Sequence, residues 1–587
     1  MVSFLRPPQR SRLFSSCAMW GIVSCRPFAL WKTDVSSDKM GSNSMIWQKI
    51  SKGLANVITV FSYLFLLVVV MLSFFGTEFQ DGVSREELIN VNMLSGGLQS
   101  LAWFLGVAVC VLLLVSLVIL RRSLEKLNEK TLLCIVISVT FLLGLVWIRS
   151  QAAVDTLYPD SHQVSTYAAS AVNGDWSSFT ESAGISDPAQ LPSDAHFYFM
   201  AVPYQSGLFY FFYVTYLLFG AGNVVAVQVI NLFACEAMLL CAYAIGRIFL
   251  PTRGSRNTLL ILLGLCFPLI MSCSFIYGNS VGYAFGFIFL LLQIKALTSN
   301  ETKDVVKLSV ISFPFLALGL MIKSTIVLLA IAVAIAWVVK ALVLRNLTGL
   351  LACILVIALS NSASAIPERL LEQQTSLDFG RGMPTSSWIE IGLTTSPLLA
   401  NEPGWWDATA MNEFRTSHGD YNAQNESAKE GIVRAVNGFI EDPGFACWFF
   451  LRKLSTEWSD PTFQTVYFSQ LNLNSNGDMF RPFFGKTVGN PLYWIMDGCQ
   501  LLAYIGAFAF LAFDRRRSIA SIALIATFFT GFGCYLLWEA KGIYLLPYYV
   551  LLLPFAAGGL CSIVNRIGQK EYRNVEHLGM ERIALSE

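Results

Sequence analysis

The sequence predicts an all-α integral membrane protein with about twelve transmembrane helices and two large external loops that contain interfacial helices. Three observations carry this. Hydrophobic residues make up 55% of the 587, and the mean hydropathy is +0.57. Charged residues are 13% of the chain, about half the share usual in a soluble domain. Apolar runs close to the ~20 residues needed to cross a bilayer recur along the chain.

The runs fall at 55–76, 100–120, 131–148, 222–248, 257–275, 280–298, 307–322, 324–343, 347–366, 493–513, 518–537 and 542–563. A shorter run, 204–219, contains the aromatic stretch from Tyr204 to Tyr216. Basic residues orient the spans, because cytoplasmic loops collect Lys and Arg. They cluster at Lys49/Lys52, Arg121/Arg122/Lys126/Lys130, Arg247/Arg253/Arg256, Lys303/Lys307, Lys340/Arg345, Arg515–Arg517 and Arg566/Lys570/Arg573. If 204–219 does not span, all of these lie on one side and both termini are cytoplasmic. If it spans, Arg247/Arg253/Arg256 and Arg515–Arg517 move to the side opposite Arg121/Arg122. The run is therefore expected to lie in the interface.

This places residues 149–221 and 367–492 on the external face as the two large loops, between transmembrane regions 51–366 and 493–565. Residues 566–587 form a cytoplasmic tail, and 1–50 a cytoplasmic N-terminal segment. Residues 1–33 hold four arginines, one lysine, several serines and no acid. That composition fits either a transit peptide or a start codon placed too early, with Met40 or Met45 the first residue.

Composition also excludes classes of function. A net charge of +1 argues against a nucleic-acid partner. The thirteen cysteines form no CxxC pair, and the four histidines (His162, His196, His418, His577) are too scattered for a histidine metal cage. No P-loop and no GxGxxG follow a strand pattern. The sequence therefore shows no required cofactor and no metal site.

Several polar residues stand out at the external edge. Asp155 and Asp160 follow a membrane exit, where a carboxylate can act as general base on an incoming hydroxyl. Exposed loop acids are common, so position alone does not give them a role. Lys323 sits between two spans at the external edge, against the positive-inside pattern. It either snorkels to headgroups or holds a phosphate as a point charge. Trp405 and Trp406 lie among the acids Glu390, Glu402 and Asp407, a mix that suits sugar stacking and hydroxyl binding. Aromatics also gather at interfaces for other reasons. Glu236 lies within a span, and the sequence gives it no role.

Motif order then points to a family. Asp160 beyond an early helix, Asn173-Gly-Asp175, Pro203-x-Gln205-x-Gly207 opening an aromatic helix, and Tyr277-Gly278-Asn279 resemble the first half of GT-C glycosyltransferases. These enzymes use polyprenyl-phosphate sugars, and the protein O-mannosyltransferases of family 39 and bacterial aminoarabinose transferases share this layout. Trp538-Glu539-Ala-Lys541-Gly-Ile-Tyr544, with Pro547 and Pro554 beyond, resembles their last-helix pattern, except that Lys541 stands where arginine is more usual.

The resemblance implies an inverting sugar transfer, mannose-like, from a polyprenyl-phosphate donor to an external glycan, lipid or protein in a bacterial plasma membrane. Asp160, with Asp155 beside it, would serve as base. Lys323 and Lys541 would hold the lipid phosphate, with Arg149, Arg369 and Arg381 as further candidates. Glu390, Trp405, Trp406, Glu539 and Tyr544 would bind sugar or acceptor. Ser161 follows Asp160 where the family often has a second acid, which leaves dependence on a divalent cation open. A transporter or flippase, or a glycan polymerase or ligase, are the alternative readings.

Overall fold

The computed structural model describes residues 42–80, 88–92, 97–150, 159–180, 195–470, 491–513 and 518–584. Asp155, the Arg515–Arg517 triplet and residues 1–41 lie outside them. Among the described residues, eleven helices are long and apolar enough to cross a membrane, and a bent pair makes a twelfth if counted as one span. Such a chain fits a multi-pass membrane protein, since helices satisfy their own backbone groups where no water can.

The first spans are α1 (Ser42–Phe75), α2 (Gly97–Lys126) and α3 (Glu129–Ser150), and an antiparallel hairpin, β1 (Gly76–Gln80) with β2 (Leu88–Asn92), joins α1 to α2. Three shorter helices follow: α4 (Pro159–Val172), α5 (Ala195–Ala201) and α6 (Ser206–Phe219). The chain continues through α7 (Val224–Phe249), α8 (Arg253–Gly264), α9 (Phe267–Met271), α10 (Asn279–Thr298), α11 (Thr302–Ile322), α12 (Val327–Leu344) and α13 (Thr348–Ser364). The helix α14 (Ile366–Thr375) continues the same candidate span as α13, and after it come α15 (Thr385–Leu393), the hairpin β3 (Thr395–Ser396) and β4 (Glu402–Pro403), α16 (Thr409–Thr416), α17 (Tyr421–Glu441), α18 (Pro443–Trp458) and α19 (Thr465–Gln470) in a second non-spanning region. The last spans are α20 (Pro491–Phe513), α21 (Ile519–Leu537) and α22 (Gly542–Ala584).

Two features differ from the sequence expectation. The run 257–275 is not one helix: α8 and the segment Phe267–Ser274 meet at a 47° bend. Pro268 has no N–H to give the preceding turn and disfavours helical geometry in the residue before it. The short β hairpins also depart from a purely helical reading.

Several polar residues at helix ends meet one another. Glu129 at the start of α3 pairs with Arg256 at 3.0 Å and Arg247 at 3.2 Å. The amide of Asn257 donates to the carbonyls of Leu124 (2.7 Å) and Leu127 (3.1 Å). The C-terminus of α2 and the loop after α7 therefore share one end of the bundle. At the other end, the indole of Trp147 on α3 donates to Met271 O, and Asn231 on α7 donates to Cys273 O and Phe275 O. The chain leaves α3 and enters α7 at this second end, and none of α4 to α6 is among the helices long and apolar enough to cross a membrane. At 14 residues, α6 reaches only ~21 Å, and it leaves Val214, Leu217, Leu218 and Phe219 exposed.

Candidate active site

Four charged side chains from three distant stretches converge at the second end of the bundle. Asp160 lies in the first turn of α4, directly after Pro159, the helix's first residue, where proline is favoured and an acid complements the helix dipole. The α4 helix is tied to α6 by the hydroxyls of Ser165 and Tyr216, 2.6 Å apart. Asp160 is half-buried by surface area yet closely surrounded by protein atoms. Its Oδ2 accepts a hydrogen bond from the Tyr277 hydroxyl at 3.2 Å, and that hydroxyl accepts one from the Gln205 amide at 2.5 Å.

Lys323 is the single residue between α11 and the helical segment that starts at Ser324. Its ammonium lies 4.5 Å from the centre of the Tyr277 ring and 4.6 Å from that of Tyr544. Both distances suit cation–π attraction. Among the described residues no carboxylate approaches this ammonium within 4.0 Å, and it makes no hydrogen bond. Two glycines bring Lys323 here. A methyl group on Gly282 of α10 would sit 2.8 Å from Lys323 Cβ, and one on Gly207 of α6 would sit 1.8 Å from the carbonyl oxygen of Met321.

Lys541 and Glu539 precede α22 and pair at 2.9 Å, and Lys541 also lies 5.6 Å from the Tyr544 ring centre. The second non-spanning region holds their backbone in place. Lys453 on α18 is fully buried, and its ammonium donates to the carbonyls of Gly392 (2.6 Å), Trp538 (2.6 Å) and Leu536 (3.2 Å). Ala540 N–H donates to Gly404 O at 2.7 Å, and Ile543 N–H donates to Gln464 Oε1 at 3.3 Å. Gln464 N–H in turn donates to buried Asp460 at 2.8 Å. One cation thus caps the carbonyl ends of both α15 and α21, where the dipoles favour positive charge.

The groups shift one another's proton affinity. Burial raises the Asp160 carboxyl above its ordinary value; Lys541, the Tyr277 hydroxyl and Lys323 pull it back, while Glu539 pushes it further up. Burial, followed by repulsion from Lys541, lowers the Lys323 ammonium to about 7. A carboxylate with raised affinity beside an amine with lowered affinity is a common arrangement at functional sites.

The other candidates lie outside this charged cluster, with the Trp406 stack reaching its edge at Trp538. Glu390 is buried and turned toward α17, where Arg434 is 3.9 Å away and Gly431 makes room for its carboxylate. Burial and nearby Glu413 raise it to about 7. The Trp405 indole faces α18 and donates to Thr456 at 3.3 Å. Trp406 packs on Trp388 (5.9 Å), which stacks on Trp538 (6.4 Å, 13°), the residue before Glu539. Arg381 stacks on Tyr421 at 3.7 Å, and Arg149 is exposed at the end of α3. Inside the bundle, Glu236 accepts a hydrogen bond from Thr140 at 2.6 Å. Among the described residues no group of three or more His, Cys, Asp or Glu could hold a metal ion.

Sequence reasoning gave no role to Tyr277, Gln205 or Lys453. The first two sit inside motifs already quoted. The signal at Lys453 was a lone lysine in the aromatic stretch Trp448–Trp458. No protein-family model matches the chain, and no curated protein matches it.

Proposed function

We propose that this chain is a membrane glycosyltransferase of GT-C type, which moves a mannose-like sugar from a polyprenyl phosphate to an acceptor at the external face of the plasma membrane. The observation that carries the reading is the Lys323 ammonium, held between two tyrosine rings without a carboxylate partner and facing the same cluster as Asp160. Lys323 is half-buried by surface area but closely surrounded by protein atoms; a desolvated cation without a counter-charge is costly, and a bound phosphate would offset that cost.

In the proposed step the acceptor hydroxyl gives its proton to Asp160, and its oxygen attacks the anomeric carbon from the face opposite the leaving group. The bond from that carbon to the phosphate oxygen breaks, its electron pair stays with the lipid phosphate, and the configuration inverts. Lys323 and Lys541 neutralise the departing phosphate in a site shielded from water, where such stabilisation is strongest. Tyr277 orients Asp160 and Gln205 orients Tyr277. Trp388, Trp406 and Trp538 offer stacking faces beside Glu539, while Glu390 and Trp405 support the walls.

The test is transfer by purified, reconstituted protein supplied with radiolabelled polyprenyl-phosphate mannose and a cell-envelope extract as acceptor. Label is expected to leave the lipid with the wild type, and at a rate lower by on the order of 10³ with Asp160→Asn, the scale of general-base catalysis. Equal transfer by wild type and variant would refute the base, and movement of intact labelled lipid across the bilayer without cleavage would refute the transferase.

A further inference from the structure

A second polar site lies at the opposite end of the bundle, where the proposed chemistry uses nothing. A groove of about 210 Å³ opens between the C-terminal turns of α2, the start of α8 and α22. Arg121, Arg122 and Glu125 line its polar side, and Leu117, Leu560 and Val564 its apolar side. The volume is several times the ~30 Å³ share of one water in the liquid.

Some basic groups at this end are engaged and others are not, and among the described residues Lys126, Arg253, Lys303 and Arg345 share the unengaged state with the two groove arginines. Arg247 and Arg256 are engaged by Glu129, and the Lys340 ammonium is engaged by the carbonyls of Leu297 (2.7 Å) and Ser299 (2.8 Å). Among the described residues, Arg121 and Arg122 have no ion pair and no hydrogen bond. Glu125, one turn away on the same helix, pairs with neither and lies over Gly254 instead. The polar wall therefore carries two guanidiniums against one carboxylate, and Arg121 is half-buried.

The surroundings say what such a groove receives. On the turns leading to it, α2 exposes Leu112, Val115, Ile119 and Leu120, an apolar track that ends at the arginines. A guanidinium binds phosphate through two parallel N–H donors, and basic pockets between membrane helices take anionic headgroups. We infer that this groove binds one anionic phospholipid, its phosphate on Arg121 and Arg122 and an acyl chain along the exposed face of α2. This site is independent of the sugar-transfer reading.

The experiment uses the full-length protein in nanodiscs of phosphatidylcholine with phosphatidylglycerol, followed by native mass spectrometry of the lipid retained. The wild type should retain phosphatidylglycerol over phosphatidylcholine, and Arg121→Gln/Arg122→Gln should lower that ratio by up to about thirtyfold, since each basic contact is worth roughly fivefold. Lys303→Gln/Arg345→Gln removes equal charge from the same end outside the groove and should leave the ratio unchanged. Equal losses in both double variants, or no preference in the wild type, would overturn the site. Should the glutamine pair fail to fold, Arg121→Ala and Arg122→Ala are measured singly, and an unchanged ratio in both is equally fatal. A further arm adds inorganic phosphate to phosphatidylcholine discs. Thermal stabilisation there matching that of phosphatidylglycerol would mean that a free phosphate, and not a lipid, is the ligand.

Discussion

Replacing Gly207 with alanine tests how α6 fixes the site. The added Cβ would lie 1.8 Å from Met321 O and 2.5 Å from Met321 C, both backbone atoms in the last turn of α11. A carbon and a carbonyl oxygen rest no closer than about 3.3 Å, so the two helices must part by roughly 1.5 Å. No side-chain rotation relieves this. The movement separates Gln205, which precedes α6, from Tyr277, and displaces Lys323, which follows α11, from the ring it faces at 4.5 Å. Overpacking of this kind costs about 1–3 kcal/mol, and a 1 Å misplacement of catalytic groups can cost about 10²-fold in rate. The assay pairs the thermal midpoint in nanodiscs with the transfer rate. Gly438→Ala is the control, because Gly438 is helical with nothing within 4 Å of a new Cβ, and helix propensity alone favours alanine there by up to about 1 kcal/mol. If Gly207→Ala matches the wild type in both measurements, the account of how α6 and α11 position Lys323 is wrong.

The pH profile of kcat/KM should be bell-shaped. Its alkaline limb starts near 7, where the Lys323 ammonium loses its proton, and its acid limb lies above the ordinary carboxylate range because burial raises Asp160. Lys323→Arg should carry the alkaline limb upward, since arginine stays charged; an unmoved limb assigns it to another group. The same depressed amine binds fewer protons in the folded than in the unfolded protein between about 7 and 10.5. Its cost to stability is therefore full below that window and fades as pH rises through it, and Lys323→Met should flatten the corresponding slope in chemical denaturation. Lys453→Met should lower the thermal midpoint, because it orphans three buried carbonyls and, above about pH 8 where Glu457 ionises, leaves that carboxylate without its compensating charge. Lys453→Met/Glu457→Gln should regain part of the loss, and a double variant no more stable than the single one would show that the two charges do not compensate each other.

The sequence by itself determined the multi-pass helical class of the molecule and which charged residues gather at one end of its helices. Apolar runs near spanning length mark the helices because a chain in lipid must satisfy its backbone internally. Arg121, Arg247 and Arg256 mark one end because charge stays out of the hydrocarbon, and the meeting of Arg247 and Arg256 with Glu129 agrees. Local chemistry also flagged Asp160 and Lys323 singly, and the family resemblance pointed to Glu539, Lys541 and Tyr544. Tertiary structure alone decided which of these meet. Asp160 and its tyrosine partner are 117 residues apart, and no periodic signal reaches that far. Packing turned Glu390 toward α17 and Trp405 toward α18, and it brought in Lys453, whose partners are carbonyls that carry no sequence signature. Hydropathy and charge act residue by residue against the solvent, so they can be read along the chain. The convergence of Asp160, Lys323 and Lys541 depends on how closely helices cross, which contacts such as Gly207 against Met321 set only once the whole bundle has formed.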